Sequence, residues 1–126
     1  MSTFKNKFTF EKRKEESSRI MEKYIDRKPI IIEKHHKCTY NIDKNKYLVP
    51  NDLTVGQLLY VVRRRLKLTS DKAIFVFCNK IMPPTSQFIN ELYKEHKDID
   101  GFLYIEFTDE NAFGYENAFG YENAFG

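Results

Sequence analysis

The sequence has no tryptophan, only 2 cysteines, and no apolar run approaching the length that spans a bilayer. Two thiols as far apart as Cys38 and Cys78 exclude a disulfide-framed scaffold and read as free cysteines. His35-His36-Lys37-Cys38 lacks the second ligand cluster that a four-coordinate zinc site requires, so it reads as a solvated loop and no metal is expected. Cys78 ends an apolar segment with no paired base nearby in sequence, which favours core packing over nucleophilic chemistry. There is no G-x-x-x-x-G-K and no G-x-G-x-x-G, so nothing indicates a nucleotide, and no cofactor is expected. The opening M-S-T-F-K-N-K is not the apolar core of a secretory signal, which predicts a cytoplasmic protein.

What remains is the composition of a folded domain: 126 residues, 41% apolar and 31% charged, with 11 Phe and 8 Tyr. The net charge of +3 conceals a gradient. Residues 98–126 carry seven acidic residues and no Lys or Arg, while the remainder is basic. A basic body attracts acidic partners, and charge alone does not choose among peptide, anionic lipid and nucleic acid.

Residues 11–24 are charge-rich and free of Gly and Pro, with Phe10, Ile20 and Tyr24 as anchors and Glu16 and Ile20 on one face; they predict a surface helix. Pro29 disfavours the α conformation before it, and the β-branched Ile30-Ile31-Ile32 begins a strand. Lys46-Tyr-Leu-Val-Pro50 predicts a second strand, ended by proline. Thr54-Val-Gly-Gln57 fits a capping box, and Val55, Leu58, Leu59, Val62 and Leu66 follow at helical spacing, predicting a helix over about 55–67 with Arg63, Arg64 and Lys67 largely facing water. Ala73–Cys78 reads as a buried strand that turns at Asn79-Lys80. A helix capped by Thr85 or Ser86 then places Phe88, Ile89, Leu92 and His96 on one side, and residues 101–107 form a last strand. Helices on one face of a mixed sheet give an α+β domain. The order is that of a ubiquitin-like β-grasp with about four to five strands and an N-terminal helical extension. We expect a helical extension over residues 1–26, a ubiquitin-like domain over 27–108 and a flexible tail over 109–126.

The segments F-E-K-R (10–13), K-Y-I-D-R-K-P (23–29), D-K-N-K-Y-L-V-P-N-D-L-T-V-G-Q (43–57), N-K-I-M-P-P-T-S (79–86) and Y-K-E-H-K-D-I-D-G-F-L-Y (93–104) resemble the autophagy ubiquitin-like modifiers, the family that includes GABARAP. The resemblance runs in register from about Phe10 to Gly114. It implies a modifier, not an enzyme, joined through a C-terminal glycine to phosphatidylethanolamine and serving as a membrane-bound adaptor. Its partners would be cargo receptors and autophagy proteins with aromatic-x-x-aliphatic motifs, activating and conjugating enzymes, a processing and delipidating cysteine protease, and phosphatidylethanolamine membranes. It would be cytoplasmic, and found on autophagosomes and other autophagic membranes when lipidated. By position, an aromatic pocket would use Glu16, Ile20, Pro29, Lys46, Leu48 and Phe102. An aliphatic pocket would use Tyr47, Val49, Pro50, Leu53, Leu58 and Val61, with Leu58 where many relatives carry Phe. Arg27 and Arg65 would join Lys46 in meeting acidic residues beside the peptide motif.

The sequence closes on three copies of E-N-A-F-G. Phe113-Gly114 matches the aromatic-glycine end of the family's body, so Gly114 is a candidate cleavage site and Gly114, Gly120 and Gly126 are candidate conjugation termini. Glycine has no Cβ, which suits a tail that threads a narrow enzyme channel. Tyr115-Glu-Asn-Ala118 and Tyr121-Glu-Asn-Ala124 imitate the aromatic-x-x-aliphatic pattern, with alanine small for its pocket. Phe10 is expected to pack on the body, while Phe4 and Phe8 are open between packing and membrane insertion. Two alternatives stand beside this reading. One is a ubiquitin-like interaction module that is never conjugated. The other is a basic nucleic-acid-binding domain, suggested by Arg63-Arg64-Arg65, although no nucleic acid is expected because three consecutive helical residues do not form one stripe.

Overall fold

The structure is a computed structural model and describes residues 2–109. Its elements are α1 (Thr3–Lys7), α2 (Phe10–Lys23), β1 (Arg27–Lys34), β2 (Lys46–Pro50), α3 (Val55–Arg65), β3 (Ile74–Phe77), α4 (Ile89–His96) and β4 (Leu103–Asp109). The four strands form one mixed sheet in the order β2-β1-β4-β3. β1 pairs antiparallel with β2 and parallel with β4, and β3 pairs antiparallel with β4. The long connection between the parallel pair carries α3, β3 and α4, as a crossover between parallel strands requires.

β1 is the centre of the body because both its faces are covered. Ile30 and Ile32 join Leu103, Ile105 and Phe107 against Val55, Leu58 and Val62 of α3 and Ile89 and Leu92 of α4. Ile31 points the other way, into a second cluster with Phe4 and Phe102. The continuous apolar run at 30–32 is thus the signature of a strand buried on two sides. Helices are not confined to one face, since α1 roofs the second.

A helix of five residues does not persist alone, and α1 is held at both ends by side chains from elsewhere. Ser2 caps it by accepting from Lys5 N, and the Glu33 carboxylate of β1 accepts from Ser2 Oγ at 2.7 Å and from Phe4 N at 2.9 Å. The anion therefore sits where the helix leaves amide hydrogens unpaired. At the other end, Arg13 Nη1 donates to the carbonyls of Phe8 and Lys5 at 2.7 and 3.2 Å.

The capping box at Thr54 forms as expected, with Gln57 N donating to Thr54 Oγ1 and Thr54 N donating to Gln57 Oε1. Asn79 and Lys80 take φ of 50° and 67°, completing the tight turn between Cys78 and Ile81. Four expectations need correction. Neither Thr85 nor Ser86 caps α4, which begins only at Ile89 behind an N-cap Phe88 that makes no side-chain cap. The backbone before it is engaged with the α3 entry instead, through Val55 N to Gln87 O and Gly56 N to Thr85 O, both 2.9 Å, and Phe88 is exposed. Arg63 does not face water freely, because it donates to the carbonyls of Thr69 and Lys72 and ties down the loop after α3. Cys38 is buried in the main core while His36 and Lys37 are exposed, so the 35–38 segment is only partly solvated. Phe10, expected to pack on the body, is 39% exposed, while Phe4, open between two readings, is buried at 2% exposure. Both cysteines are free and buried, and burial pushes the Cys78 thiol up to about 11.

Candidate functional site

β2 lies at one end of the strand order, so among the described residues its only strand neighbour is β1. Its other side presents backbone donors and acceptors to an incoming strand. The register then distributes its side chains. Leu48 lies opposite Pro29 and Lys46 opposite Ile31, on the face toward α2, whereas Tyr47 lies opposite Ile30 and Val49 opposite Lys28, on the face toward α3.

On the α2 face, Lys46 Nζ meets Glu16 Oε1 at 2.8 Å and joins strand to helix. Ile20, one helical turn beyond Glu16, is half-buried, and so is Leu48 on β2. Pro29 and Phe102 are buried and act as floor, with Phe102 2% exposed. Phe4 completes this floor, and it was missed because the recognisable motif begins at Phe10. Its ring meets Phe102 edge-on at 5.2 Å and Phe8 at 5.2 Å, and the Lys46 ammonium stands 5.7 Å from the centres of both Phe4 and Phe8. The sequence signal was present in Ser2 as a cap followed by Phe4 and Phe8, four residues apart. A cavity of about 270 Å³ between α1 and α2 shares Glu16, Phe4 and Phe8 with this neighbourhood.

On the α3 face, Val49 and Leu58 are buried in the main core, and Tyr47 and Leu53 pack partly buried against it. Val61 and Pro50 are half-buried. Leu58 at 2% exposure is thus a support beneath the surface, not an open wall. The Tyr47 hydroxyl is buried without a hydrogen-bond partner among the described residues. Burial raises its pKa, which the nearby Arg65 opposes and Asp43 reinforces. Arg65 stands 6.0 Å from the Tyr47 ring and 3.6 Å from Asp43. Arg27 is exposed at the far end, opposite Pro50. Phe113, Gly114, Gly120 and Gly126 lie outside the described residues.

The helix that forms one wall is pinned by a buried polar cluster. Asp100, fully buried, accepts from Arg13 Nε at 2.9 Å, from Tyr104 Oη at 2.5 Å and from Phe102 N at 2.9 Å. Beside it Ser17, the buried residue of α2, donates to the Asp100 carbonyl at 2.5 Å. Burial, with the Asp100 carboxylate reinforcing it, pushes the Tyr104 hydroxyl far above its ordinary range. A raised folded-state value means that stability is complete below the unfolded tyrosine pKa of about 10 and is lost as pH rises above it. Tyr104→Phe should therefore cost about 1–3 kcal/mol at neutral pH and flatten the alkaline limb of a stability-versus-pH curve measured by urea denaturation.

A mixed sheet with one central parallel pair, a helix packed across it and an open edge at β2 defines a ubiquitin-like protein. The family model for the autophagy protein Atg8, ubiquitin-like, matches residues 12–114. The chain belongs to the Atg8 family of autophagy ubiquitin-like proteins. It is 58% identical over 114 residues to autophagy-related protein 8 of Schizosaccharomyces pombe, covering 90% of this chain and 94% of that one. It is 55% identical over 114 residues to the protein of the same name from Coccidioides immitis, covering 90% and 97%. Among solved structures it superposes on Trypanosoma brucei ATG8 with a TM-score of 0.83 at 40% identity, covering 87% of this chain and 96% of that one. It also superposes on Plasmodium falciparum Atg8 in complex with a P. falciparum Atg3 peptide, with a TM-score of 0.79 at 30% identity, covering 86% and 99%.

Proposed function

We propose that this protein is a conjugated modifier and adaptor: it is joined through a glycine of its tail to phosphatidylethanolamine, and it captures aromatic-x-x-aliphatic peptides of cargo receptors along β2. The observation that carries the reading is the open edge of β2 with side chains alternating between an α2 side and an α3 side. A peptide that extends the sheet would gain affinity from backbone hydrogen bonds and specificity from alternate side chains. The aromatic residue would lie toward Glu16, Ile20, Lys46 and Leu48, over the buried Pro29 and Phe102. The aliphatic residue would lie toward Tyr47, Pro50, Leu53 and Val61, with Val49 and Leu58 beneath. The Atg3 peptide bound to the P. falciparum relative supports a conjugating enzyme as a partner of this chain too. Residues 1–26 would brace the aromatic side, residues 27–108 form the ubiquitin-like body, and residues 109–126 supply the junction.

In this reading the protein transfers no group itself; activating and conjugating enzymes do so, using Gly126 directly or Gly114 after a cysteine protease cleaves beyond Phe113-Gly114. It is cytoplasmic until lipidation brings it to autophagic membranes. Incubation with those enzymes, ATP and phosphatidylethanolamine vesicles should yield a lipidated product whose junction, located by mass spectrometry, is Gly114, Gly120 or Gly126. A junction elsewhere, or no product from versions ending at any of the three, would overturn the conjugation reading. For docking, calorimetry with an aromatic-x-x-aliphatic peptide should rank Leu48→Ala and Tyr47→Ala as more damaging than Lys46→Ala. Exposed ion pairs contribute about 0.2–1 kcal/mol, while a buried anchor contact contributes about 2 kcal/mol or more.

A further inference from the structure

We propose that the acidic repeats after Asp109 dock on this chain's own open edge, adding a strand parallel to β2 and competing with any outside peptide; the inference rests on β2 being a docking edge. The periodicity of the tail is the first support. Its repeat F-G-Y-E-N-A is six residues long, an even number, so in an extended conformation every copy presents the same residues to the same side. Phe113, Tyr115, Phe119, Tyr121 and Phe125 all fall at odd positions, and every Glu and Ala of the repeats falls at an even one. The odd side thus carries two aromatic residues and one Asn per copy and the even side only Ala, Gly and Glu, so one side of an extended tail is predominantly aromatic, and sliding by one whole copy leaves that pattern intact.

The edge is complementary to that pattern. With the aromatic side of the tail over Leu48 and Lys46, the glutamates fall on the α3 side, where the Arg65 side chain is 45% exposed and holds Asp43 at a loose 3.6 Å. Residues 110–126 carry Glu110, Glu116 and Glu122 and no Lys or Arg, so their charge is opposite to that of Arg65 on the same side.

Topology sets the reach and the direction. β1 separates β4 from β2, so the free side of β2 lies three strand spacings from β4, about 15 Å. Lys34 pairs with Phe107 and Ile31 with Lys46, so the chain leaves Asp109 at the end of the sheet where β2 begins. It meets Lys46 first and then runs toward Pro50, which makes the added strand parallel. Extended chain from Asp109 to Tyr115 spans about 20 Å, and from Asp109 to Tyr121 about 40 Å, enough to round the 35–45 loop. A tether of this length supplies an effective concentration near the millimolar range, so even a contact weakened by alanine in place of a larger aliphatic residue is populated.

The test compares the full chain with a version ending at Gly114, following the backbone amides of Lys46–Pro50 by NMR shift and hydrogen exchange. The full chain should show shifted and protected β2 amides, Tyr115→Ala with Tyr121→Ala should abolish both effects, and a synthetic peptide of residues 114–126 added to the shortened chain should move the same resonances. A separate aromatic-x-x-aliphatic peptide should bind the shortened chain about fivefold or more tighter than the full chain. Identical β2 resonances in the two chains overturn the inference, and binding of the separate peptide at β2 then leaves the docking edge standing, whereas its failure to bind either chain removes that edge as well. Protection that vanishes on dilution assigns the tail to a second copy and also overturns it.

Discussion

Arg13→Ala is expected to destabilise the fold by about 3–5 kcal/mol, because the fully buried Asp100 carboxylate would lose its cation. The Arg13 side chain is 11% exposed and that of Asp100 is 0% exposed, so the ion pair that is lost is a buried one. The same guanidinium terminates α1 through the Phe8 and Lys5 carbonyls, so the substitution also frees the helix that carries Phe4. Urea denaturation should show the shift in midpoint, and Tyr104, which shares Asp100, should lose its fixed environment. If the uncompensated charge is the cause, Arg13→Ala combined with Asp100→Asn should recover part of the loss, since the double variant buries no anion. A double variant no more stable than Arg13→Ala alone would place the effect elsewhere.

Gly101→Ala should cost about 2–4 kcal/mol, from two sources that add. Gly101 adopts φ of +90°, a conformation that a Cβ disfavours, and an added Cβ would lie 2.2 Å from Ser17 Oγ and 2.9 Å from Ser17 Cβ. Something must move, and the wall that moves is α2, which carries Glu16 and Ile20. The prediction is therefore a joint one: lowered thermal stability and weakened capture of aromatic peptides. Ser17→Gly should relieve the contact in the Gly101→Ala background, so that the two substitutions together cost less than the sum of each alone, although the positive φ, the lost hydrogen bond to the Asp100 carbonyl and a glycine inside α2 still cost stability. Equal stability of Gly101→Ala and the parent would refute the close approach of α2 to this turn.

Both clasps explain what could and could not be read from the chain alone. Local chemistry was legible: Thr54 and Gln57 are three residues apart, and their reciprocal capping needs nothing beyond the helix they start. The apolar run at 30–32 and the proline ending β2 likewise carry their structural meaning in their own neighbourhood. Contacts made across the sequence were not legible. Glu33 caps a helix 29 residues away, and Ser17, a small residue in a charged helix, reads as unremarkable until Asp100 and Gly101 arrive against it from 83 residues further on. Thr85 and Ser86 have the right chemistry for a helix cap, yet the backbone there is claimed by Val55 and Gly56, a tertiary demand that outweighs local preference. The two sides of the candidate site followed from family resemblance at the level of residues. One part of the floor beneath the aromatic side, Phe4, did not, because it precedes the recognisable segment and its burial depends on Glu33, Arg13 and Phe102 together.

The brevity of β2 has a further consequence for how the protein behaves at high concentration. A rim of unpaired amides and carbonyls is a template on which like molecules could stack into fibrils, and crowding on a curved bilayer would raise that hazard. Five residues, opened by a lysine and closed by a proline, keep the rim too short and too interrupted to propagate end-to-end polymerisation. On the docking proposed for β2, lengthening that strand by replacing Pro50 would trade solubility for receptivity.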